Sequence, residues 1–488
     1  MSKKKVDDRI IVTLCGGQSE SVTGSITSVS YLKDDGTRGL ILLELGGIQG
    51  NNDIKGEYLE NKHMLENAPL KGVEYVFVNH IHQDHCMHLP YLVSSGESPR
   101  IIITHKNKEL LKPLLLDSTY IHGKNIEYLK SKGFKSCKPF YVEQDTHATF
   151  DLMDEFNIDT IYKLNSNISF RFVGNSHVIG ATQLELFIKK PCGQVKKILY
   201  TSDLGNNFSS EFQPFLIDNK KVTKANLMLI ESTYGDRKPF TRKECIEERE
   251  ELFRTIDKYV IQDRKSCLIP CFAFGRLENI MCMLYDRYKD TWNPENPIII
   301  DTTLGYEEIK KYSQVLEGEE LEYWNEVVNW KCLKYITDYK SSMAFQSQKD
   351  RHGLILSSSG MISAGRSVLH AYNILQDSKS VICFCGYCSP NTIGGKILDE
   401  NYKTVDFPDH KGVSKRCEIK RFYTFSSHAQ QDTLLDYIKQ MPNSCKIVLH
   451  HGDNNAKQEL LMKAKEELSK INKTTKIEKS YKDMQIVL

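Results

Sequence analysis

The chain predicts an α/β fold in which one domain is interrupted by a second, and three features of its 488 residues lead there. The first two hundred residues alternate short β-rich runs with turns. From about residue 236 the rhythm changes to longer helix–strand alternation, and after about residue 420 the earlier style returns. The length alone exceeds what one ordinary hydrophobic core accommodates. The expected division is 1–235, 236–418 and 419–488, the middle segment being inserted into a domain formed by the outer two.

In the first segment, RIIVTLCGG, SITSVSYL, GLILLEL, VEYVFVNH, RIIITH, ISFRFV, QLELFIKK, KILYTSD and NLMLIEST are strands. They are rich in β-branched residues, of ordinary strand length, and bounded by Gly, Asn or Asp. Amphipathic helices, KNKELLKPLLLDSTYIHG and the stretch around THATFDLMDEFN, interrupt them. The middle segment alternates CIEEREELFRTIDKYVIQ, SCLIPCF, LENIMCMLYDRY, PIIID and GLILSSSG, the pattern of a parallel, helix-flanked sheet. The strand KIVLHHG, the helix AKQELLMKAKEELSK and the strand MQIVL close the chain.

Composition narrows the function classes. Lys and Arg total 65 against 63 Asp and Glu, so a net charge of +2 carries no global signal for nucleic acid or membrane, and any anionic substrate must be met locally. No apolar run approaches bilayer length and the start lacks a cleavage-site pattern, which excludes a membrane partner from the expectation. The 14 cysteines are scattered from Cys15 to Cys445, the usage of reduced thiols in a cytoplasmic protein, or a nuclear one if the source is eukaryotic. Cys383, Cys385 and Cys388 have no second pair at finger-like spacing, so they are not expected to bind zinc.

The chemistry concentrates in VNHIHQDHCMHL, where His80, His82, Asp84 and His85 fall within six residues at the end of a buried strand. Imidazole and carboxylate suit zinc and its neighbours, and alternation lets His80 and His82 point to one side while Asp84 and His85 serve a second ion. A polar turn that caps a helix would not need three histidines and an aspartate. His177, in the Gly-flanked loop of FRFVGNSHVIGATQLEL, and Asp203, after the strand KILYTSD, stand at further strand ends. Singly they would be a hydrogen-bonded loop histidine and a turn former.

HxHxDH, a histidine within GNSHVIGA and the aspartate of YTSD, in that order, resemble the metallo-β-lactamase hydrolase fold. LIESTYGDR with Glu231, IPCFAFGR with Arg276, SSSGMISAGR with Arg366, GYCSPNTIGGKIL, FSSHAQQDTLLDYI with His428 and LHHGD with His451 resemble its β-CASP branch. That branch includes the pre-mRNA 3′-end cleavage endonuclease and bacterial and archaeal ribonucleases, and the motifs run from about Leu42 to past His451. The resemblance implies an αββα sandwich with an inserted β-CASP domain. It also implies two zinc ions, other divalent ions being compatible: one held by His80, His82, His177 and Asp203, the other by Asp84, His85, Asp203 and His451, with Asp203 bridging. His450 is then strand filler. Two departures stand out. Glu44 replaces the Asp that usually ends the early strand and buttresses the metal site, and His88 stands where relatives often carry a small residue, either adding a polar group near the cleft or lying on the helix surface one turn after His85.

By the same resemblance the chain is a zinc-dependent ribonuclease that leaves 5′-phosphate and 3′-hydroxyl ends. Asp84 and Asp203 serve the metal chemistry, while His428 is the general acid, an imidazole that titrates near neutrality, with Glu231 fixing its tautomer. Arg276, Ser359, Gly360 and Arg366 are the candidate substrate contacts, the small residues turning backbone N–H groups towards phosphate. The basic run KGVSKRCEIKR, Lys411 to Arg421, either lines a cleft at the return to the first domain or, the favoured reading, is a solvated linker. RNA is the expected partner, with a homodimer or partners in an RNA-processing complex left open. The alternatives are a DNA-processing nuclease, a small-ester or lactam hydrolase, and a non-catalytic RNA-binding subunit. Histidine at 451 favours RNA over DNA, an insertion would be superfluous for a small substrate, and filled ligand positions speak against a degenerate subunit.

Overall fold

The computed structural model describes residues 8–50, 53–348 and 351–488. Two seven-stranded sheets pack face to face. The first runs, in spatial order, Gln485–Val487, Ile11–Leu14, Thr27–Leu32, Arg38–Leu43, Tyr75–Phe77, Arg100–Thr104 and Met153–Phe156. The second runs Lys476–Lys479, Lys446–His450, Leu227–Glu231, Val195–Tyr200, Thr182–Lys189, Ile168–Gly174 and Tyr162–Lys163. Each sheet is antiparallel in one half and parallel in the other: Arg38–Leu43 starts the parallel half of the first, and Val195–Tyr200 that of the second. Parallel strands present their carbonyl ends together, and the candidate ligands lie there.

Strand alternation explains why both faces are apolar. Ile41, Leu43, Phe77 and Ile102 of the first sheet meet Phe170, Phe172, Ile198, Tyr200, Leu227 and Leu229 of the second in the central layer. The intervening Leu42, Val76, Ile101 and Ile103 face an outer helical layer that includes Leu110, Leu111 and Leu114 of the helix His105–Ser131. Met228, Ile230, Ile447 and Leu449 face the other helical layer, with Leu434 and Leu460. A two-residue period with both phases buried requires cover on both sides. The result is an αββα sandwich.

The inserted unit is a six-stranded parallel sheet in the order Leu333–Ile336, Ile298–Asp301, Gly353–Ser357, Ser266–Pro270, Val381–Phe384 and Glu418–Arg421. Its two faces are buried in the same alternating way, Cys267 and Ile269 on one side and Leu268 on the other. Connections leave the central pair Ser266–Pro270 and Gly353–Ser357 in opposite directions, which opens a crevice at their carbonyl ends. CFAFGR and SSGMISAGR occupy that crevice and touch: a Cβ built on Gly360 would meet the backbone N of Phe272 at 3.0 Å.

The Lys411–Arg421 run differs from its expectation as a linker. His410–Ser414 pairs with Thr404–Phe407 in a hairpin, and Glu418–Arg421 is an edge strand of the six-stranded sheet. Val413 and Cys417 anchor it in the core, and Lys420 pairs with Glu251 at 2.5 Å, so the charges line the outward face of ordered structure. Among the described residues no helix is long and apolar enough to cross a membrane.

Candidate metal centre

Seven ligand-bearing residues converge where the two parallel half-sheets end. His80 follows the strand Tyr75–Phe77, His82 caps the short helix Gln83–Cys86 that carries Asp84 and His85, and His177 lies in the loop after Ile168–Gly174. Asp203 follows Val195–Tyr200, and His451 follows Lys446–His450. Their ligand atoms form two groups, His80, His82, His177 and Asp203 in one and Asp84, His85 and His451 in the other, with all atoms in a group within 4.8 Å of each other.

Asp203 faces both. Its Oδ2 lies 3.5 Å from His80 Nε2 and 3.5 Å from His177 Nε2, while Oδ1 lies 3.4 Å from His85 Nε2 and 3.3 Å from His451 Nδ1. His82 Nδ1 is 3.2 Å from His177 Nε2, and Asp84 Oδ2 is 3.4 Å from His451 Nε2 and 3.5 Å from His85 Nε2. Bonds of about 2.0–2.1 Å around a tetrahedral ion put neighbouring ligand atoms roughly 3.3 Å apart. The spacing therefore fits ions of the zinc type. Two buried atoms at the centre, His80 Nε2 and Asp203 Oδ1, find no hydrogen-bond partner among the described residues, and a cation in each group would engage them.

The outer nitrogens explain how the rings are held. His85 Nδ1 donates to Glu44 Oε2 at 2.5 Å, His80 Nδ1 to Ser202 Oγ at 3.1 Å, and His177 Nδ1 to the Ser427 carbonyl at 3.3 Å. Each leaves Nε2 on the inner side, facing the position an ion would take. Glu44 also accepts from Ser25 and Tyr200 on Oε2, at 2.7 and 2.6 Å, and from Ser202 on Oε1 at 2.6 Å. Its backbone is left-handed, φ 66°, and one carboxylate braces a ligand of each group, His85 directly and His80 through Ser202. Sequence reasoning noted Glu44 but missed Ser25, Tyr200 and Ser202; YTSD contains two of them, with nothing in the motif to show where they point.

Electrostatics follow from this packing. Burial pushes Glu44 up, yet His85 and His80 outweigh it and hold the carboxyl at about 2. Asp203 and Asp84 are likewise held well below the usual range by surrounding imidazoles. Burial depresses His82 to about 3 and holds His177 well below the usual imidazole range, keeping both neutral and ligand-ready, whereas the carboxylates of Glu44, Asp203 and Asp84 keep His85 high against its burial.

Beside the centre, His428 Nδ1 lies 3.3 Å from Glu231 Oε1, and its ring is 4.7 Å from that of His177. Glu231 is itself fixed by the Leu204 and Thr233 N–H groups, at 2.7 and 3.2 Å. Burial lowers His428, but Glu231 and Asp203 reverse this and raise it to about 10. Tyr234 packs edge-on against the same ring at 5.6 Å.

His450 points elsewhere: it stacks on Tyr200 and both its nitrogens lack partners. His88 is buried against Phe140 and Tyr141 and bonds Asn61 at 2.8 Å, so it belongs to the helical layer and not to the cleft or the helix surface. In the inserted unit, Arg276 is buried with Nε and Nη1 unpaired. Arg366 is committed to Asp301 at 2.6 Å, to the carbonyls of Ile336 and Thr337, and to Thr303 Oγ1. It braces the loop before it, in which Ser359 Oγ accepts from the Ser363 and Ala364 N–H groups. Gly360 stands at the turn of that loop, against the Phe272 backbone. Phe274 brings the inserted unit to the metal centre, 6.0 Å from the His82 ring.

Comparison with known proteins bears on this geometry. Residues 277–397 match a Beta-Casp domain, and residues 412–475 match a Zn-dependent metallo-hydrolase RNA specificity domain. The chain is 25% identical over 390 residues to an RNase J-like protein of Methanocaldococcus jannaschii, covering 78% of this chain and 82% of that one. It is 24% identical over 447 residues to a ribonuclease of Thermus thermophilus, covering 90% and 92%. With the transcription termination factor FttA of Methanococcus maripaludis it shares 25% over 404 residues, 79% of this chain but 59% of that longer protein.

Replacing His82 and Asp84 together by Ala removes a ligand from each group, and elemental analysis should show loss of bound metal while the far-ultraviolet circular dichroism is retained. Glu44→Gln keeps the shape but loses the charge that His85 and Ser202 address. Its affinity for metal, measured by competition with a chromogenic chelator, should fall about 10–100-fold; unchanged affinity would show that the carboxylate does not hold the ligands.

Proposed function

Because this chain belongs to the β-CASP branch of the metallo-β-lactamase fold, we propose that it is a metal-dependent ribonuclease that hydrolyses RNA phosphodiester bonds at a two-ion centre, leaving 5′-phosphate and 3′-hydroxyl ends. The observation that carries the reading is the Asp203 carboxylate set between two groups of buried imidazoles, with His428 and Glu231 alongside.

His80, His82, His177 and Asp203 would hold one ion, and Asp84, His85, His451 and Asp203 the other. Bound divalent ions supply Lewis-acid activation of water and offset the charge of the phosphoryl oxygens. The protein's own contribution is then positional and protonic. Glu44 and Ser202 engage the outer nitrogens of His85 and His80 and so turn the inner ones towards the position an ion would take. Glu231 engages Nδ1 of His428 and leaves Nε2 to deliver a proton to the departing 3′-oxygen. The Glu231 carboxylate keeps the charged imidazolium favourable, so the acid form is populated at neutral pH. The crevice of the inserted sheet, with the Ser359–Gly360 turn and Arg276, faces the backbone of the bound strand.

RNA as substrate is supported by the names of the matched domain and relatives, and by His451 in the pattern of the RNA-cutting branches. All fourteen cysteines are free thiols, which fits a reducing, cytoplasmic setting.

Incubation with end-labelled RNA and DNA of the same sequence tests the reading directly: RNA should be cut much faster, and equal rates or a preference for DNA would place the chain with DNA-processing enzymes. The acid can be isolated by leaving-group chemistry. Protonation of a poor leaving group is worth about 10²–10⁴ in rate, whereas a nitrophenyl phosphodiester leaves without it. His428→Ala should therefore cripple RNA cleavage and spare the nitrophenyl ester, and Glu231→Ala should show a milder form. Equal slowing of both substrates with metal retained would mean that His428 positions the phosphate instead.

A further inference from the structure

A cavity of about 420 Å³ opens on the outer helical layer, between the start of the helix Ile54–Asn67 and the end of the helix His105–Ser131. Its lining includes Lys55, Tyr128, Lys132 and Phe134, with Asp53 at one side. Lys55 Nζ lies 5.0 Å from the Phe134 ring centre and Lys132 Nζ 5.5 Å from that of Tyr128. The pairing recurs further along the helix, where Lys124 sits 5.7 Å from Tyr120. Tyr120 is 64% and Tyr128 48% exposed, which is unusual company for rings on a helix whose other face is core.

Charge is concentrated here in a chain that is otherwise nearly neutral. Between residues 124 and 138, Lys124, Lys130, Lys132, Lys135 and Lys138 face a single acid, Glu127, and Lys124 takes it at 2.9 Å. Among the described residues, Lys55, Lys130, Lys132, Lys135 and Lys138 form no ion pair. Asp53 is the one carboxylate lining the cavity, and its Oδ1 caps the helix by accepting from the Lys55 N–H at 3.1 Å. Positive charge interleaved with exposed aromatic rings is what a single-stranded nucleic acid uses: phosphates meet the ammonium groups and bases stack on the rings.

Position ties the cavity to the cleft. The chain leaves Glu44 at the metal centre and packs Gly46 against Asp84. It then reaches Gly50, whose carbonyl accepts from Ser389 Oγ of the inserted unit at 3.1 Å. Asp53 lies three residues on, at most roughly 11 Å of extended chain from that seam. The Asp53 end of the cavity is therefore within that reach of the seam.

We propose that the Lys55–Tyr128–Lys132–Phe134 cavity is an outer subsite for single-stranded RNA, which binds a nucleotide remote from the cut and extends the grip of the metal cleft. The proposal rests on the ribonuclease reading above. It explains why a chain with a net charge of +2 carries this local excess, and it assigns substrate binding to residues outside every motif of the site.

The test compares the intact enzyme with Lys55→Glu/Lys132→Glu and with Tyr128→Ala, on oligouridines of about twenty and about four nucleotides, the latter no longer than one single-strand subsite. Loss of one stacked base or two phosphate contacts should raise KM for the long RNA about tenfold with kcat unchanged. In the charge variant the slope of log KM against log salt should become shallower by about 1.4. The short RNA and the nitrophenyl phosphodiester should be cut as before. If the intact enzyme cuts RNA and the variants keep its KM on the long substrate, this subsite is refuted and the surface belongs to a protein partner. Equal losses on long and short RNA refute it too, by tracing the effect to the cleft. An intact enzyme that does not cut RNA overturns the ribonuclease reading, and the subsite with it.

Discussion

The fold is organised around a buried carboxylate that must be shared. Asp203 is inaccessible, faces imidazoles on both of its oxygens, and comes from the second sheet, whereas His80, His82, Asp84 and His85 come from the first. Removing charge from water costs several kcal/mol per ion unless it is paired, so the two sheets are held in register at the point where their polar ends meet. Apolar packing between the sheets supplies the bulk of the cohesion; the polar junction sets where the strands must stop.

How they stop is visible in the backbone. Glu44, Ser202 and His451 each adopt a left-handed conformation, with φ of 66°, 51° and 50°, at the ends of three strands that feed the site. A non-glycine residue in that region costs on the order of 1 kcal/mol or more. The gain is direction: after the turn, His451 leaves the alternation of its strand and joins the ligands, while His450, one residue earlier, stays in plane and stacks on Tyr200. Ser202 turns its hydroxyl between Glu44 and His80 and delivers Asp203 to the centre.

The inserted unit is bound to the sandwich along the helix His105–Ser131, where Lys311 pairs with Glu109 at 2.9 Å, and by contacts beside the cleft. Phe274 meets His82, Ser389 meets Gly50, and Arg249 of the helix Arg242–Ile256 lies 4.1 Å over Phe212 and 4.9 Å over Phe425. Tyr234, which leads out of the sandwich, packs on His428 and bonds Ser426. The chain thus enters and leaves the insertion beside its own candidate acid, and a polymer in the cleft would touch both units.

Much of this was legible in order along the chain. Buried strands announce themselves by continuous apolar runs, and His80, His82, Asp84 and His85 are adjacent, so one local turn presents them whatever the rest of the chain does. His177, Asp203 and His451 stand at strand ends that periodicity alone locates. Reading along the chain is enough to locate those strands, to put the candidate ligands at their ends and to find the change of rhythm before the inserted sheet. Tertiary structure alone decided that Arg366 would meet Asp301, that His88 would turn to Asn61, that Lys411–Arg421 would add an edge strand, and that Glu44 would brace both ligand groups. It also brought Lys55 beside Phe134 from segments nearly eighty residues apart. One cause runs through these cases: a side chain's type shows what it can bond, but its partner is set by which distant surface the packed core carries into contact with it.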